Sequence, residues 1–116
     1  MPSELRPSQA LRLWHDVSLD LVRDGKPDLS SRQTVVLLTV YLEPPPHTVR
    51  GLAAKLGVTK PAITRALDTM GKFGLLTRRR DESDRRNVII QRTVEGALAV
   101  ERLGDFIVER HRELPL

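Results

Sequence analysis

A mainly α-helical domain with one small β-hairpin is what this sequence predicts, and three observations carry that reading. Apolar residues recur at three- and four-residue spacing through most of the chain, which is the helical period. Two short runs, residues 75–80 and 87–92, break that period, and the polar stretch 81–86 between them reads as a hairpin tip. The 116 residues, 40% hydrophobic and 29% charged, suit one domain with a core of its own, neither disordered nor fibrous.

The first helix is expected over residues 8–24, where Ala10, Leu13, Trp14, Val17 and Leu21 keep helical spacing and Gly25-Lys26-Pro27 ends it. A second begins after Ser30, because Ser30-Ser31-Arg32-Gln33 has the form of a capping box. It runs to about Glu43, where Pro44-Pro45-Pro46 cannot donate backbone hydrogen bonds. Val35, Val36, Leu38 and Leu42 make it apolar nearly all round, the pattern of a central core helix. A short third helix covers 49–56, with Leu52, Ala53 and Leu56 inward and a left-handed cap expected at Gly57. Thr59 then caps a fourth helix running to about Phe73, with Pro61 in its first turn and Gly74 at its end. After the hairpin, Thr93 caps a last helix from Val94 to about His111, with Ala97, Leu98, Val100, Leu103, Phe106 and Ile107 apolar. Two helices joined by a Gly-containing turn, followed by a charged hairpin, form a winged helix-turn-helix. The chain divides accordingly into 1–29, a winged core at 30–93, and 94–116.

Charge is distributed unevenly along this order. The net charge is +4, yet residues 50–92 hold 11 basic against four acidic residues, +7, and the remainder is −3. Such asymmetry in one small domain points to an anionic partner met by one face, though a solvated basic face is the plainer account. The absence of Cys excludes a disulfide scaffold, a Cys-type zinc finger and a thiol redox sensor, and fits a reducing cytoplasm. No apolar run reaches a membrane span, the N-terminus lacks a signal pattern, and a cytoplasmic protein without membrane association is expected. The 3% aromatic content argues against binders that stack single-stranded bases on aromatic platforms.

On the fourth helix, Ile63, Ala66, Leu67 and Met70 share the side that must pack, while Pro61, Arg65, Asp68, Thr69 and Lys72 lie opposite. Lys60, Ala62 and Thr64 are expected on the flanks. A guanidinium can bond guanine bidentately, and the methyl groups of Ala62 and Thr64 can approach a thymine methyl. Lys60 and the helix N-terminus suit phosphate oxygens. Asp68, unfavourable near phosphate, is placed to hold Arg65 or Lys72, or to accept from a cytosine amino group. In the hairpin, Arg78, Arg79, Arg80, Arg85 and Arg86 crowd five guanidiniums into nine residues. Asp84 is expected to pair with a wing arginine, and Arg86 to reach a narrow minor groove, whose negative potential attracts arginine. A mixed-charge loop that keeps an edge hairpin soluble is the plainer alternative.

The run Arg50-Gly51-Leu52-Ala53-Ala54-Lys55-Leu56-Gly57-Val58-Thr59-Lys60-Pro61-Ala62-Ile63-Thr64-Arg65-Ala66-Leu67-Asp68 resembles the helix-turn-helix of bacterial MarR-type transcription regulators. So do Gly74-Leu75-Leu76-Thr77-Arg78, Asp84-Arg85-Arg86 and Thr93-Val94-Glu95-Gly96; Asp84 and Arg86 match the Asp-x-Arg element of the family wing. The similarity covers about residues 30–96, over half the chain. The resemblance implies a homodimer that binds a pseudo-palindrome in double-stranded DNA, recognition helices in successive major grooves and wings in flanking minor grooves. The DNA-binding residues then expected are Thr59, Lys60, Pro61, Ala62, Thr64, Arg65 and Lys72 with Arg78, Arg80, Asp84, Arg85 and Arg86. In the family the first and last helices interleave as the dimer contact; both are short here, so a smaller or unusual interface is expected. Many relatives bind phenolic or other small effectors, so a small-molecule effector stays open.

Catalysis is the weakest reading. His15, His47 and His111 lie far apart, and no HExxH, Gly-rich phosphate loop or Gly-x-Ser-x-Gly is present, so no cofactor or metal is expected. The serious rival is a winged-helix adaptor or co-regulator acting mainly through protein contacts.

Overall fold

The computed structural model describes residues 4–25 and 27–115. These form α1 (Pro7–Arg23), α2 (Ser31–Leu42), β1 (His47–Thr48), α3 (Val49–Leu56), α4 (Lys60–Lys72), β2 (Leu76–Arg80), β3 (Val88–Arg92) and α5 (Val94–Arg112). Two compact units result: Leu29–Val100, and Met1–Asp28 with Glu101–Leu116. The division falls within α5, which belongs to both.

In the Leu29–Val100 unit each helix starts where a side chain satisfies an orphan amide. The Gln33 amide donates to Ser30 Oγ at 3.1 Å, and the Ser30 amide donates to Gln33 Oε1 at 2.8 Å, the reciprocal box the sequence predicts. Thr48 Oγ1 accepts from the Gly51 amide at 2.9 Å at the start of α3. Thr59 Oγ1 accepts from the Ala62 amide at 3.3 Å at the start of α4. Gly57 closes α3 with φ 67°, and Gly74 turns the chain from α4 toward β2 with φ 71°, both left-handed conformations that favour glycine.

The core joins Val36, Leu37 and Val40 of α2, Leu52 of α3, Ile63, Leu67 and Met70 of α4, and Leu75, Leu76 and Ile90 around the sheet. The sequence makes α2 a helix covered nearly all round, and the structure corrects this: Val35 and Leu42 are exposed. Neighbouring elements cover one side of α2 only, and composition cannot show where cover stops.

A second correction concerns the sheet. It has three antiparallel strands in the order β1-β3-β2, where the sequence predicts a two-stranded hairpin. His47 pairs with Ile90 and Thr48 with Ile89, on the far side of β3 from β2. A strand of two residues directly after three prolines has no period to detect.

Tyr41 ties the unit together. Its hydroxyl accepts from the Thr93 amide at 3.0 Å and lies 2.9 Å from the Leu75 carbonyl, a position from which it donates. Thr93 Oγ1 donates to the Gly74 carbonyl at 2.6 Å and accepts from the Gly96 amide at 2.9 Å, capping α5. The buried Gly96 leaves no room for a Cβ, which would collide with the Tyr41 hydroxyl and the Leu75 carbonyl.

The other unit pairs α1 with the later part of α5 through charge. Arg110 donates to both carboxylate oxygens of Asp20 at 2.8 Å, and Arg102 pairs with Asp24. Gln9 Nε2 also donates to the Pro115 carbonyl at 3.0 Å. Val17, 1% exposed, is the only buried residue among those described in this unit. No helix among the described residues is long and apolar enough to cross a membrane.

Candidate nucleic-acid interface

Helix α4 is amphipathic in the sense that the interface requires. Ile63, Ala66, Leu67 and Met70 are buried against the core, and Lys60, Pro61, Thr64, Arg65, Asp68 and Lys72 are exposed. Ala62 departs from the sequence reading. It is 6% exposed and lies on the packed side, so its methyl group is not offered to a groove. At the start of an α-helix one residue turns through about 100°, and Ala62, adjacent to Ile63, falls just inside the buried arc. The Thr59 hydroxyl is engaged as the helix cap, and Thr69 Oγ1 donates to the Arg65 carbonyl at 3.3 Å.

Asp68 provides a further correction. The sequence offers Arg65 or Lys72 as its partner, three and four residues away on the same helix. The structure instead sets Arg78 Nη2 of β2 against Asp68 Oδ1 at 2.8 Å. Strand alternation explains it, since Arg78 lies two residues beyond the buried Leu76 and shares its face of the sheet. Arg80 occupies the same face again, and its Nη1 donates to the Arg85 carbonyl at 2.8 Å, bracing the hairpin tip.

The tip is built around two carboxylates. Asp81 Oδ1 accepts from the Ser83 amide at 2.9 Å and the Ser83 hydroxyl at 2.6 Å, an Asx turn. These bonds hold the Asp81 carboxyl below its ordinary range. Asp84 Oδ1 accepts from both the Arg86 amide and Arg86 Nε at 3.1 Å, so one carboxylate fixes the backbone and the guanidinium together. The Arg86 side chain is the main reason the Asp84 carboxyl is depressed, with the Arg86 amide second and the Arg50 charge a smaller contribution. Both acids are therefore ionised at neutral pH. The Arg86 side chain remains 82% exposed, oriented but accessible.

Not every cation of the basic segment belongs to this surface. Lys55 pairs with Glu43 at 2.9 Å. Arg92 donates to the carbonyls of Val40 at 2.8 Å and Glu43 at 3.2 Å, with its guanidinium 5.7 Å from the centre of the Tyr41 ring. A cation at a helix C-terminus meets unsatisfied carbonyls and the negative end of the helix dipole, which is why Arg92 completes α2. Counting charges along the sequence could not separate an arginine engaged with helix carbonyls from the rest. Arg50, whose charge reaches Asp84, is absent from the residues that sequence reading selects.

A helix-turn-helix with an arginine-bearing hairpin attached to its second helix is a winged-helix domain. The family model described as MarR family matches residues 29–88, over half of the chain. The organic hydroperoxide resistance transcriptional regulator of Bacillus subtilis (strain 168) is 30% identical over 104 residues, covering 85% of this chain and 70% of that protein. Among solved structures, the transcriptional repressor CouR bound to a 23-mer DNA duplex superposes with a TM-score of 0.72 at 26% identity, covering 96% of this chain and 84% of that one. Reduced AbfR bound to DNA gives 0.68 at 26% identity, covering 88% and 72%. The chain belongs to the MarR family. It is a MarR-type transcriptional regulator with a DNA-binding winged helix, and not an enzyme.

Proposed function

We propose that the protein binds a pseudo-palindromic site in double-stranded DNA as a homodimer, with α4 in the major groove and the wing in the adjacent minor groove. The observation that carries this reading is the outer face of α4. Lys60, Thr64, Arg65 and Lys72 are exposed there on a helix whose opposite face is closed into the core. Lys60 and the capped N-terminus of α4 hold phosphate oxygens, since orphan amides and positive charge converge at that end. Arg65 reads a guanine edge through its planar fork, and Thr64 offers a methyl to thymine. Lys72 meets the backbone at the other end of the helix. On the wing, Arg85 and Arg86 enter the minor groove, with Asp84 keeping the Arg86 guanidinium aimed. Two copies place two such surfaces about one helical turn apart along the duplex.

Selection of duplexes from a randomised pool tests binding, symmetry and half-site spacing together. Arg65→Ala is expected to relax sequence preference at one position per half-site and to cost about 1–3 kcal/mol. Arg86→Ala is expected to weaken binding most at sites with A·T-rich flanks. If both variants bind every duplex as the parent does, the docking geometry is wrong. No affinity for duplex even at low salt would instead favour a winged-helix adaptor that acts through protein contacts.

A further inference from the structure

The wing and the recognition helix are joined by one side-chain ion pair, Asp68 with Arg78. We propose that Asp68 is a positioning residue. By holding Arg78 it fixes the angle of the wing against α4, so that major-groove and minor-groove contacts are made in one register. The inference rests on the DNA-binding reading above and adds to it the means by which its two contact elements are coupled.

Three observations support the assignment. First, Asp68 sits in the middle of the outer face of α4, one turn after Thr64 and Arg65 and one turn before Lys72. A bare carboxylate there would repel phosphate, and a guanidinium at 2.8 Å removes that penalty without using Arg65 or Lys72. Second, Arg78 lies directly opposite the buried Ile90 in β3 and on the same face as the buried Leu76, so it stands where the hairpin leaves the core. The pair therefore connects that point to α4 and transmits an angle. Third, Leu76 is the last residue of β2 buried in the core that it shares with Ile63, Leu67 and Met70 of α4, and Thr77 to Arg80 are exposed, so beyond Leu76 the ion pair is the side-chain bond from the strand back to α4. Beyond the buried Leu76 the strand runs about four residues before the tip, roughly 13 Å, so a swing of about 10° there displaces the tip by about 2.3 Å. That exceeds the tolerance of a hydrogen bond. An exposed ion pair adds little to the stability of the free protein, so its consequence lies in this orientation.

The test compares the duplex recovered from a randomised pool with the same duplex whose outer A·T pairs are changed to G·C. The guanine amino group then blocks the minor groove and leaves the central major-groove sequence intact. Asp68→Asn, Arg78→Gln, both together, and the swap of Asp68→Arg with Arg78→Asp are measured on both duplexes, with thermal melting of each variant. The preference for A·T flanks is expected to fall about three- to fivefold in either single variant, to fall no further in the double neutral variant, and to return in the swap. Loss of folding alone would not restore the preference on swapping charges. Should a variant fail to fold, Arg78→Lys, which keeps the charge without the fork, is expected to retain an intermediate preference. Single variants that keep the parental preference, losses that multiply in the double variant, or a swap that fails to recover would overturn the inference while the DNA reading stands. A parent that binds but prefers neither flank would also overturn it. A parent that binds no duplex would sink the DNA reading itself.

Discussion

Two glycines show how differently one residue type is used in this chain. Gly96 is buried against the Tyr41 hydroxyl and the Leu75 carbonyl, so Gly96→Ala forces a Cβ into space already occupied by backbone. We expect it to destabilise the protein by about 2–3 kcal/mol in urea unfolding, the range of a strained core insertion. Gly71, within α4, has only open space where a Cβ would be placed. Gly71→Ala is expected to stabilise by about 0.5–1 kcal/mol, because alanine loses less backbone entropy in a helix. Tyr41→Phe keeps the ring under Arg92 but leaves the Thr93 amide without its acceptor, and should cost about 1–2 kcal/mol. Sequence reading could find none of these roles. Tyr41, Gly96 and Arg92 act across separations such as the 52 residues between Tyr41 and Thr93, and no local pattern records such a contact.

At the scale of elements, local chemistry was legible and cover was not. The Ser30, Thr59 and Thr93 caps, the left-handed Gly57 and the inner face of α4 follow from nearest neighbours, and helices and hairpin strands fall within a residue or two of their predicted ends. What failed depended on partners: β1, the exposed Val35 and Leu42, the buried Ala62 and the Asp68–Arg78 pair. The pairing of α1 with the later part of α5 is likewise invisible in sequence, because Asp20 and Arg110 are 90 residues apart. That pairing makes a pH prediction. The Arg110 bond holds the Asp20 carboxyl below its ordinary value of 3.8, and the His15 bond does the same for Asp16. A depressed carboxyl stabilises the folded form above its unfolded value, and the contribution is lost as pH falls through the folded value. The α1–α5 pairing should therefore be intact at neutral pH and loosen only below about pH 4. A carbon-detected titration should show Asp20 inflecting below the ordinary range, and Arg110→Gln should move that inflection up. An Asp20 inflection that ignores Arg110→Gln would show the pair to be absent in solution.

The whole molecule divides its charge and its apolar surface between the two units. Leu29–Val100 carries 12 basic against six acidic residues, +6, and the rest carries seven against nine, −2. The cationic unit has the core; the other has one buried side chain among its described residues and leaves Leu11, Trp14, Val22, Ile107 and Val108 exposed. Leu11 is 70% and Trp14 62% exposed. Ion pairs at the protein surface contribute little stability and cannot replace buried apolar area, so a unit built this way gains its stability by covering those side chains. A second copy is the cover the homodimer proposal requires, and the composition supplies a direct probe. Trp14 is the only tryptophan, so the intrinsic indole emission reports this one position. In the homodimer its emission should be blue-shifted at micromolar concentration and move to longer wavelength on dilution, in step with the change from dimer to monomer in sedimentation. Trp14→Ala should weaken the dimer by about 2 kcal/mol or more if Trp14 is a central anchor of the contact. Because a dimer presents two cationic units to one duplex, that variant should also flatten the salt dependence of DNA binding, whose slope follows the number of phosphates neutralised. A Trp14 emission that is unchanged across the monomer–dimer transition would place the contact elsewhere on the chain.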